Sequence, residues 1–319
     1  MVNELDANLE NAFHESQSIK IRLGPSGLHI FCRRTGLNVL CDEIQVPNEL
    51  WAVAPRQVSV ALTNACDLRC PYCYAPKTRA ALDPTRLAGW LQELDANGCL
   101  AVGFGGGEPT LHEHFVKLCR YAAKQTNLAV TFTTHSHRID QALAAALRGA
   151  VHFVRISMDG VGTTYEMLRG RPFGEFRARL NIIRSLAPFG INFVVNTNTM
   201  PDLNAALSLA AEAGASEFLL LPEYPVYGRG GIDPKTGRAL QEWVSRYRSS
   251  LRLTVSEAGS DGMPAIPVVA SETGVRAYAH IDAQGVLKQS SFDHDGIRIE
   301  NSGVMDALRR LQSQEVESK

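Results

Sequence analysis

The 319-residue chain lacks a charge excess, a long apolar run and an export signal, and each absence excludes a class of protein. Its 32 Lys and Arg nearly balance its 33 Asp and Glu, for a formal net charge of −1. Without a basic stripe, nucleic acid is not expected as a partner. No run of about eighteen apolar residues is present to span a membrane. The acidic start MVNELDANLENAFHESQ has no apolar h-region, so we expect a cytoplasmic protein without a membrane partner.

Cysteine is scarce and unevenly placed, since the chain has seven and none follows Cys119. An odd number without an export signal predicts reduced thiols rather than a disulfide scaffold. Three of them form the run CDLRCPYC with spacing C-x3-C-x2-C, at Cys66, Cys70 and Cys73. The remaining four are Cys32, Cys41, Cys99 and Cys119. Packing as small apolar side chains is favoured for all four, although Cys32 and Cys41 could also pair with each other or ligate a metal.

Strand and helix patterns alternate regularly from residue 57. The predicted strands are short, nearly continuous apolar runs, typical of a parallel sheet buried on both faces. They cover residues 57–63, 99–104, 128–134, 151–158, 191–199 and 216–223. Amphipathic segments lie between them and predict helices. Six successive βα units predict an α/β fold with a partial (β/α)6 TIM-like barrel over residues 57–251.

Smaller segments flank the predicted barrel. Residues 18–46 alternate apolar and polar positions around turn signals, which predicts a small antiparallel β unit within an N-terminal extension of residues 1–56. Residues 252–319 lose the regular alternation. We expect them to form a C-terminal cap with a hairpin that turns at 283–285, followed by a closing helix.

The cysteine run directly follows the first barrel strand, at the edge of the sheet where loops build the site. Three thiolates on one loop can hold a [4Fe–4S] cluster and leave one iron open for a ligand. They can also hold zinc, if His112, His114 or Cys99 supplies a fourth ligand. The spacing favours the cluster and leaves zinc open.

The second predicted strand ends in GFGGGEPTLH, where three glycines let a ligand approach the backbone closely. The G-K-[ST] ending of a phosphate-binding P-loop is absent. Together with the cysteine run, this motif resembles the radical SAM superfamily. Members carry C-x3-C-x-aromatic-C after the first barrel strand and Gly-Gly-Glu-Pro after the second. The matching residues here are Cys66, Cys70, Tyr72 and Cys73, and Gly106, Gly107, Glu108 and Pro109.

The resemblance implies that Cys66, Cys70 and Cys73 ligate one [4Fe–4S] cluster and that its open iron binds S-adenosylmethionine (SAM). The reduced cluster would cleave SAM, and the 5′-deoxyadenosyl radical would abstract a hydrogen atom from the substrate. The cofactor would thus carry the difficult chemistry while the protein supplies position and exclusion of water. The required partner is an electron donor such as flavodoxin or ferredoxin.

The resemblance also implies a set of cofactor contacts. Tyr72 would pack beside the adenine, and the glycine motif would contact the methionine amino group. On the fourth strand, VRISMDG…MLRGRP is similar to the branch that modifies peptides and sulfatases. The expected cofactor-binding residues are Tyr72, Gly106, Gly107, Glu108, Ser157, Arg169, Asn196 and Leu221.

The third strand departs from the family pattern, because it ends in TTHSHR where many relatives have Thr-Asn-Gly. His135 and His137 are therefore candidates for substrate contact or proton transfer. In PEYPVYGRGG, the side chains of Glu223, Tyr224, Tyr227 and Arg229 are similar candidates, with packing of a turn or a solvated rim charge as the alternative.

The C-terminal segment resembles the SPASM/twitch extension in shape, yet it contains no cysteine. Ser290 stands about where a ligand cysteine is expected, and Ser291 where sulfatase-maturing relatives have an acid. We therefore expect a single cluster and a cap without one.

The sequence thus predicts a radical SAM enzyme that modifies a peptide or protein side chain. A small-molecule biosynthetic intermediate is an alternative substrate, because residues 1–50 are short for a winged-helix domain that binds a leader peptide. An alternative of another class is a non-catalytic protein that binds zinc or an iron–sulfur cluster.

Overall fold

A computed structural model describes residues 18–226, 228, 230–264, 269 and 271–317. Within these residues the chain forms a three-stranded sheet, a ten-stranded sheet and eight α-helices. None of these helices is both long enough and apolar enough to cross a bilayer.

The N-terminal β unit is antiparallel, as predicted. Its strands are β1 (Ile19–Gly24), β2 (Gly27–Cys32) and β3 (Asn38–Cys41), with β2 in the middle. Gly27 closes the tight turn between β1 and β2 with a φ of 104°, a conformation that favours glycine.

Six parallel strands follow in chain order and confirm the predicted succession of βα units. They are β4 (Gln57–Thr63), β5 (Ala101–Gly106), β6 (Ala129–Thr134), β7 (Phe153–Ser157), β8 (Phe189–Val195) and β9 (Glu217–Pro222). Each pairs with the next in parallel register. All six carboxyl ends therefore meet at one edge of the sheet.

Helices connect the parallel strands and cover one face of the sheet. They are α1 (Pro84–Ala96), α2 (Phe115–Gln125), α3 (Gln141–Leu147), α4 (Thr163–Arg169), α5 (Phe173–Leu186), α6 (Leu203–Glu212) and α7 (Pro234–Ser245). Helix α1 begins at a proline, and the side chain of Asp83 accepts a hydrogen bond from Arg86 N, a regular N-cap.

Strands after residue 251 extend the same sheet at both ends. Strand β10 (Arg252–Val255) pairs in parallel with β9, and β11 (Tyr278–Ile281) pairs in parallel with β4. The predicted hairpin and closing helix are present as β11 with β12 (Val286–Lys288), a short β13 (Ile297–Arg298) and α8 (Val304–Glu317). In the described residues β10 and β13 end the sheet, so it remains open, as a partial barrel does. The division at residues 56 and 251 stays a prediction.

The two faces of the parallel sheet differ in chemistry, contrary to the expectation that both are apolar. The face under the helices is a continuous core, as Val58, Val60 and Leu62 of β4 show. The other face carries polar groups such as Arg155 and Asn192. Gly103 and Gly105 of β5 place no side chain there. The inner face therefore has room for a ligand.

Strand β8 begins before the predicted strand, which covers residues 191–199. Helix α5 ends at Leu186, and Phe189 already belongs to the strand. A Cβ on Gly190 would lie 2.7 Å from Cγ of Glu217. This glycine allows close packing within the sheet instead of capping a helix.

A buried ionic network joins the N-terminal β unit to the rest of the chain. Nη2 of Arg22 lies 2.7 Å from a Glu272 carboxylate oxygen, and Nη1 of Arg56 lies 2.8 Å from the other oxygen. Arg22 also donates to the backbone carbonyls of Ala54 and Gly98. Burial opposes ionisation of Glu272, but the hydrogen bonds from both arginines hold its pKa below the ordinary value.

Replacement of Glu272 by glutamine should destabilise the fold at neutral pH by about 3–5 kcal/mol, because it leaves Arg22 buried without a compensating charge. Urea unfolding measures this change. Since the folded-state pKa of Glu272 is depressed, the stabilisation is present above the unfolded-state pKa and is lost as pH falls through the folded-state pKa. The difference between wild type and E272Q should therefore shrink in acid.

The matched control is Glu242→Gln, which removes an exposed i,i+4 pair with Arg246 at 3.7 Å. Its effect should stay within about 0.5 kcal/mol. Equal effects of E272Q and E242Q would contradict a structural role for the buried network.

Candidate functional site

The three clustered cysteines lie on the loop between β4 and α1, at the carboxyl edge of the sheet. Its ends are held together by Leu82 N, which donates to Leu62 O at 2.9 Å, and by Asn64 N, which donates to Ala80 O at 3.0 Å. Cys66, Cys70 and Cys73 are free thiols of intermediate exposure. The loop thus offers all three to one side of the sheet edge.

Each sulfur lies beside a hydrogen-bond donor. Leu68 N donates to Cys66 Sγ at 3.4 Å, Lys77 Nζ to Cys73 Sγ at 3.2 Å, and Arg169 Nη1 to Cys70 Sγ at 3.4 Å. Burial raises the pKa of the Cys66 thiol and of the Cys70 thiol. These thiols consequently need a positively charged partner such as a metal to become thiolates at neutral pH.

The glycine turn packs against the cysteine loop through its backbone. Gly107 N donates to Thr63 O at 2.7 Å, and Glu108 N donates to Ala65 O at 2.8 Å. A Cβ on Gly106 would lie 2.3 Å from Thr63 O, and one on Gly107 would lie 2.2 Å from Ala65 O. Gly106 and Gly107 are therefore required for contact between the two motifs, whatever ligand they also contact.

Glu108 is 1% exposed and accepts hydrogen bonds from three neighbours. They come from Thr110 Oγ1 at 2.7 Å, Thr134 Oγ1 at 2.9 Å and His135 N at 3.0 Å. The carboxylate is thus occupied by the protein. It fixes the end of β6 relative to the glycine turn.

His135 connects this carboxylate to the cysteine loop. Its Nε2 lies 2.7 Å from Asp67 Oδ1 and 3.3 Å from Glu108 Oε2. Ligand atoms of Cys66, Asp67 and His135 lie within 4.8 Å of one another. The imidazole therefore holds the residue that directly follows the first cysteine.

His137 faces the other way, with its Nε2 at 2.8 Å from Tyr165 OH. Burial and the neighbouring His135 lower the pKa of His137 to about 4. Its Nδ1 is buried and has no hydrogen-bond partner in the described part of the chain. At neutral pH this imidazole is uncharged.

A second buried group joins β7 to the cysteine loop. Asp159 is fully buried, forms an ion pair with Arg169 and accepts hydrogen bonds from Tyr72 OH at 2.5 Å and Val194 N at 2.7 Å. Burial and the Asp159 charge raise the pKa of Tyr72, which stays protonated. Nε of Arg169 is buried without a partner among the described residues. The arginine is thus rigidly held beside Cys70.

The remaining candidates lie further along the edge. Ser157 ends β7 opposite Asn192, and Leu221 lies in β9 opposite Val194. Asn196 Nδ2 donates to Glu223 Oε2 at 2.7 Å. Tyr224 is 43% exposed and packs on Phe292 of the cap, with the ring centres 4.5 Å apart. Tyr227 and Arg229 lie outside the described residues.

Sequence reasoning missed Asp67, Asp159 and Tyr165, although they organise the site. Asp159 could have been identified from the sequence, because it is the one carboxylate in ISMDG, directly after a buried strand. Burial of an unpaired carboxylate is unfavourable, so a partner for Asp159 was to be expected. The partners themselves are distant in sequence, since Tyr72 and Asp159 are 87 positions apart.

The residues present fit a [4Fe–4S] cluster. Three free thiols share one loop, a Cβ on Gly105 of β5 would meet no atom within 4 Å, and the buried Nε of Arg169 has no acceptor among the described residues. A single zinc ion with Zn–S distances of about 2.3 Å draws its ligands close together. In the described chain, the ligand atoms within 4.8 Å of one another belong to Cys66, Asp67 and His135 and leave out Cys70 and Cys73. The three sulfurs therefore do not all lie within 4.8 Å of one another.

Comparisons with known proteins agree with this geometry. The profile of the Radical SAM superfamily matches residues 60–206. The chain is 28% identical over 198 residues to the sporulation killing factor maturation protein SkfB of Bacillus subtilis (strain 168), which covers 60% of this chain and 48% of SkfB. It is 33% identical over 184 residues to the PqqA peptide cyclase of Rhodopseudomonas palustris (strain ATCC BAA-98 / CGA009), which covers 53% and 48% respectively.

Among solved structures, the chain is similar to Streptococcus suis SuiB bound to precursor peptide SuiA. The TM-score is 0.72 at 13% identity, and the match covers 92% of this chain and 87% of that chain. At this identity the similarity shows the fold alone. The chain spans about half the length of the curated relatives SkfB and PqqA peptide cyclase.

Substitution of Asp159 by alanine should destabilise the protein by about 3–5 kcal/mol, because Arg169 would be left buried without its partner. The matched variant Tyr72→Phe removes one hydrogen bond and keeps the ion pair, so it should cost only about 1 kcal/mol. Denaturant unfolding of the two variants measures the difference. An effect of D159A no larger than that of Y72F would refute the central role of this carboxylate.

Proposed function

We propose that the chain is an enzyme of the radical SAM superfamily, whose profile matches residues 60–206, and that it modifies a side chain of a peptide or protein. Cys66, Cys70 and Cys73 would hold one [4Fe–4S] cluster, and SAM would bind beside it. When bound, these groups supply a 5′-deoxyadenosyl radical that abstracts a hydrogen atom. The residues of this chain bind and orient the cofactors and exclude water from them.

The observation that carries the proposal is the contact between the two motifs. The N–H groups of Gly107 and Glu108 donate to carbonyls of Thr63 and Ala65, immediately before Cys66. A cluster on the cysteine loop and a ligand on the glycine turn would consequently be adjacent. This arrangement supports reductive cleavage of SAM more than a structural metal site, which needs no glycine turn beside it.

Several site residues would orient the cluster and SAM. Arg169 is already paired with Asp159 and donates to Cys70 Sγ, so it would balance charge next to the cluster and offer its free Nε to the SAM carboxylate. Tyr72 would form a wall beside the adenine. Glu108 would hold the end of β6 and have no direct contact with the cofactor, because its oxygens are taken by protein donors.

A peptide substrate is supported by the relatives, since one is named a peptide cyclase and another a maturation protein. The polar inner face of the sheet also suits a side chain with hydrogen-bonding groups better than a purely apolar molecule. We place the enzyme in the reducing cytoplasm, with flavodoxin or ferredoxin as the electron donor.

The cap would contribute no second cluster. At the position predicted for a ligand cysteine, Ser290 forms a turn in which its N–H donates to Asp293 Oδ2 at 2.7 Å and its Oγ accepts from Phe292 N at 3.2 Å. A hydroxyl used in this way is not a cluster ligand, and serine is not an ordinary one.

Anaerobic reconstitution should give a brown protein with about four irons and four sulfides per chain. Addition of dithionite and SAM should then release 5′-deoxyadenosine, measured by liquid chromatography. Replacement of Cys66, Cys70 and Cys73 by alanine should abolish both results.

The matched control is Cys41→Ala, because Cys41 lies on β3 of the N-terminal unit, away from the sheet edge. It should keep full iron content and product. Stoichiometric zinc, or no 5′-deoxyadenosine from a protein that holds four irons, would contradict the proposed function.

A further inference from the structure

A cavity of about 90 Å³ lies between the edge of the parallel sheet and the C-terminal cap. Its floor includes Ala61 of β4 and Gly106 of the glycine turn, and its wall includes His280 of β11. This volume is several times the ~10–15 Å³ of such space that one water molecule needs. The cavity therefore suits one small polar group placed next to the glycine turn.

His280 is held on the inner face by two hydroxyl groups. Ser59 Oγ lies 2.6 Å from His280 Nδ1 and 2.5 Å from Tyr278 OH. Parallel pairing places His280 directly opposite Ser59. His280 is 7% exposed and lines the cavity, and the hydrogen bond that the described chain gives its ring is the one between Nδ1 and Ser59.

The hydrogen positions in this chain of groups follow from satisfaction of each buried donor. Ser59 is the hydrogen-bond partner that the described residues provide for the Tyr278 hydroxyl, so Tyr278 donates to Ser59. Ser59 then donates its own hydrogen to His280 Nδ1, because a hydrogen on Nδ1 would leave either the Ser59 or the Tyr278 hydrogen without an acceptor among the described residues. The remaining hydrogen of a neutral imidazole is on Nε2.

A neutral imidazole agrees with the surroundings of His280. Burial lowers the pKa of His280 to about 4. At neutral pH the ring is therefore uncharged and offers one N–H group to the cavity.

The charged groups of the wall, Lys288, Asp282 and Asp293, disfavour an anion. Lys288 Nζ lies 3.0 Å from Asp282 Oδ2, so its charge is already balanced. Asp293 adds a further carboxylate to the lining. A neutral group with an acceptor oxygen matches this wall better than a carboxylate or a phosphate does.

Aromatic side chains line the cavity and connect the two sides of the open sheet. Phe292 of the cap contacts Tyr74 on the cysteine loop at 5.0 Å between ring centres and Tyr224 after β9 at 4.5 Å. Tyr74 and Phe292 line the cavity.

We propose that this cavity binds a neutral carbonyl or carboxamide group of the substrate, with the Nε2–H of His280 as hydrogen-bond donor and Ser59 and Tyr278 as positioning residues. The proposal rests on the proposed function, since it treats the occupant as part of a peptide. It assigns a substrate contact to the cap, beside the glycine turn.

Nitrogen-15 NMR of histidine-labelled, reconstituted protein with SAM at pH 7 tests the proposal. His280 is assigned by the loss of its signals in His280→Gln. We expect the neutral tautomer with hydrogen on Nε2. Titration with N-methylacetamide, a mimic of the peptide bond, should shift the Nε2–H signal saturably.

Two variants separate this site from general effects. Ser59→Ala should abolish the tautomer preference and weaken the apparent affinity for N-methylacetamide by about threefold or more. His114→Gln is the matched control at a histidine that the cavity does not include, and it should leave the His280 signal and titration unchanged.

Hydrogen on Nδ1 of His280, or no saturable shift, would overturn the proposal. Iron content and 5′-deoxyadenosine release are measured on the same preparation. A preparation active in SAM cleavage without the His280 shift refutes this inference alone. A protein with the shift and without SAM cleavage refutes the proposed function, and with it the identification of the occupant as substrate.

Discussion

Two backbone hydrogen bonds, from the N–H groups of Gly107 and Glu108 to carbonyls of the cysteine loop, hold the site together. They place the ends of β4 and β5 in direct contact, and glycine is required because any Cβ at 106 or 107 would overlap a carbonyl oxygen. The Glu108 carboxylate links these strands to the end of β6, because it accepts hydrogen bonds from Thr134 Oγ1 and His135 N. Nε2 of His135 is hydrogen-bonded to Asp67, the residue after the first cysteine. The edges of three strands thereby form one rigid unit.

The chemistry of the inner sheet face follows from the same parallel architecture. Helices cover one face and leave the other to polar side chains and to the glycines of β5. Buried charges on this side are paired, as Asp159 with Arg169 shows. Pairing is necessary because an isolated buried charge would cost several kcal/mol. The site consequently combines rigid polar groups with open space, which is what binding of a small cofactor and a side chain requires.

Much of the fold could be predicted from the sequence, because parallel strands and amphipathic helices have distinct apolar periods. Strand β4 was predicted with its observed ends. The start of β8 was missed, since the pattern of Phe189 and Gly190 is equally compatible with the end of a helix. The polar inner face was missed as well, because short strands of mixed small and apolar residues do not reveal that one face is open. The hairpin and helix of the cap were predicted from turn residues and helical periodicity.

Local spacing by itself determined the cysteine loop, the glycine turn and their order along the chain, since each is a contiguous motif. Only the tertiary structure decided which groups surround them. Asp159 meets Tyr72, Asp67 meets His135, and His280 meets Ser59 across 221 positions. Such pairs carry no sequence signal, because strand order and register bring them together. The motifs can therefore be identified from short stretches of sequence. The charged and hydrogen-bonding groups around them are brought together only when the sheet is assembled.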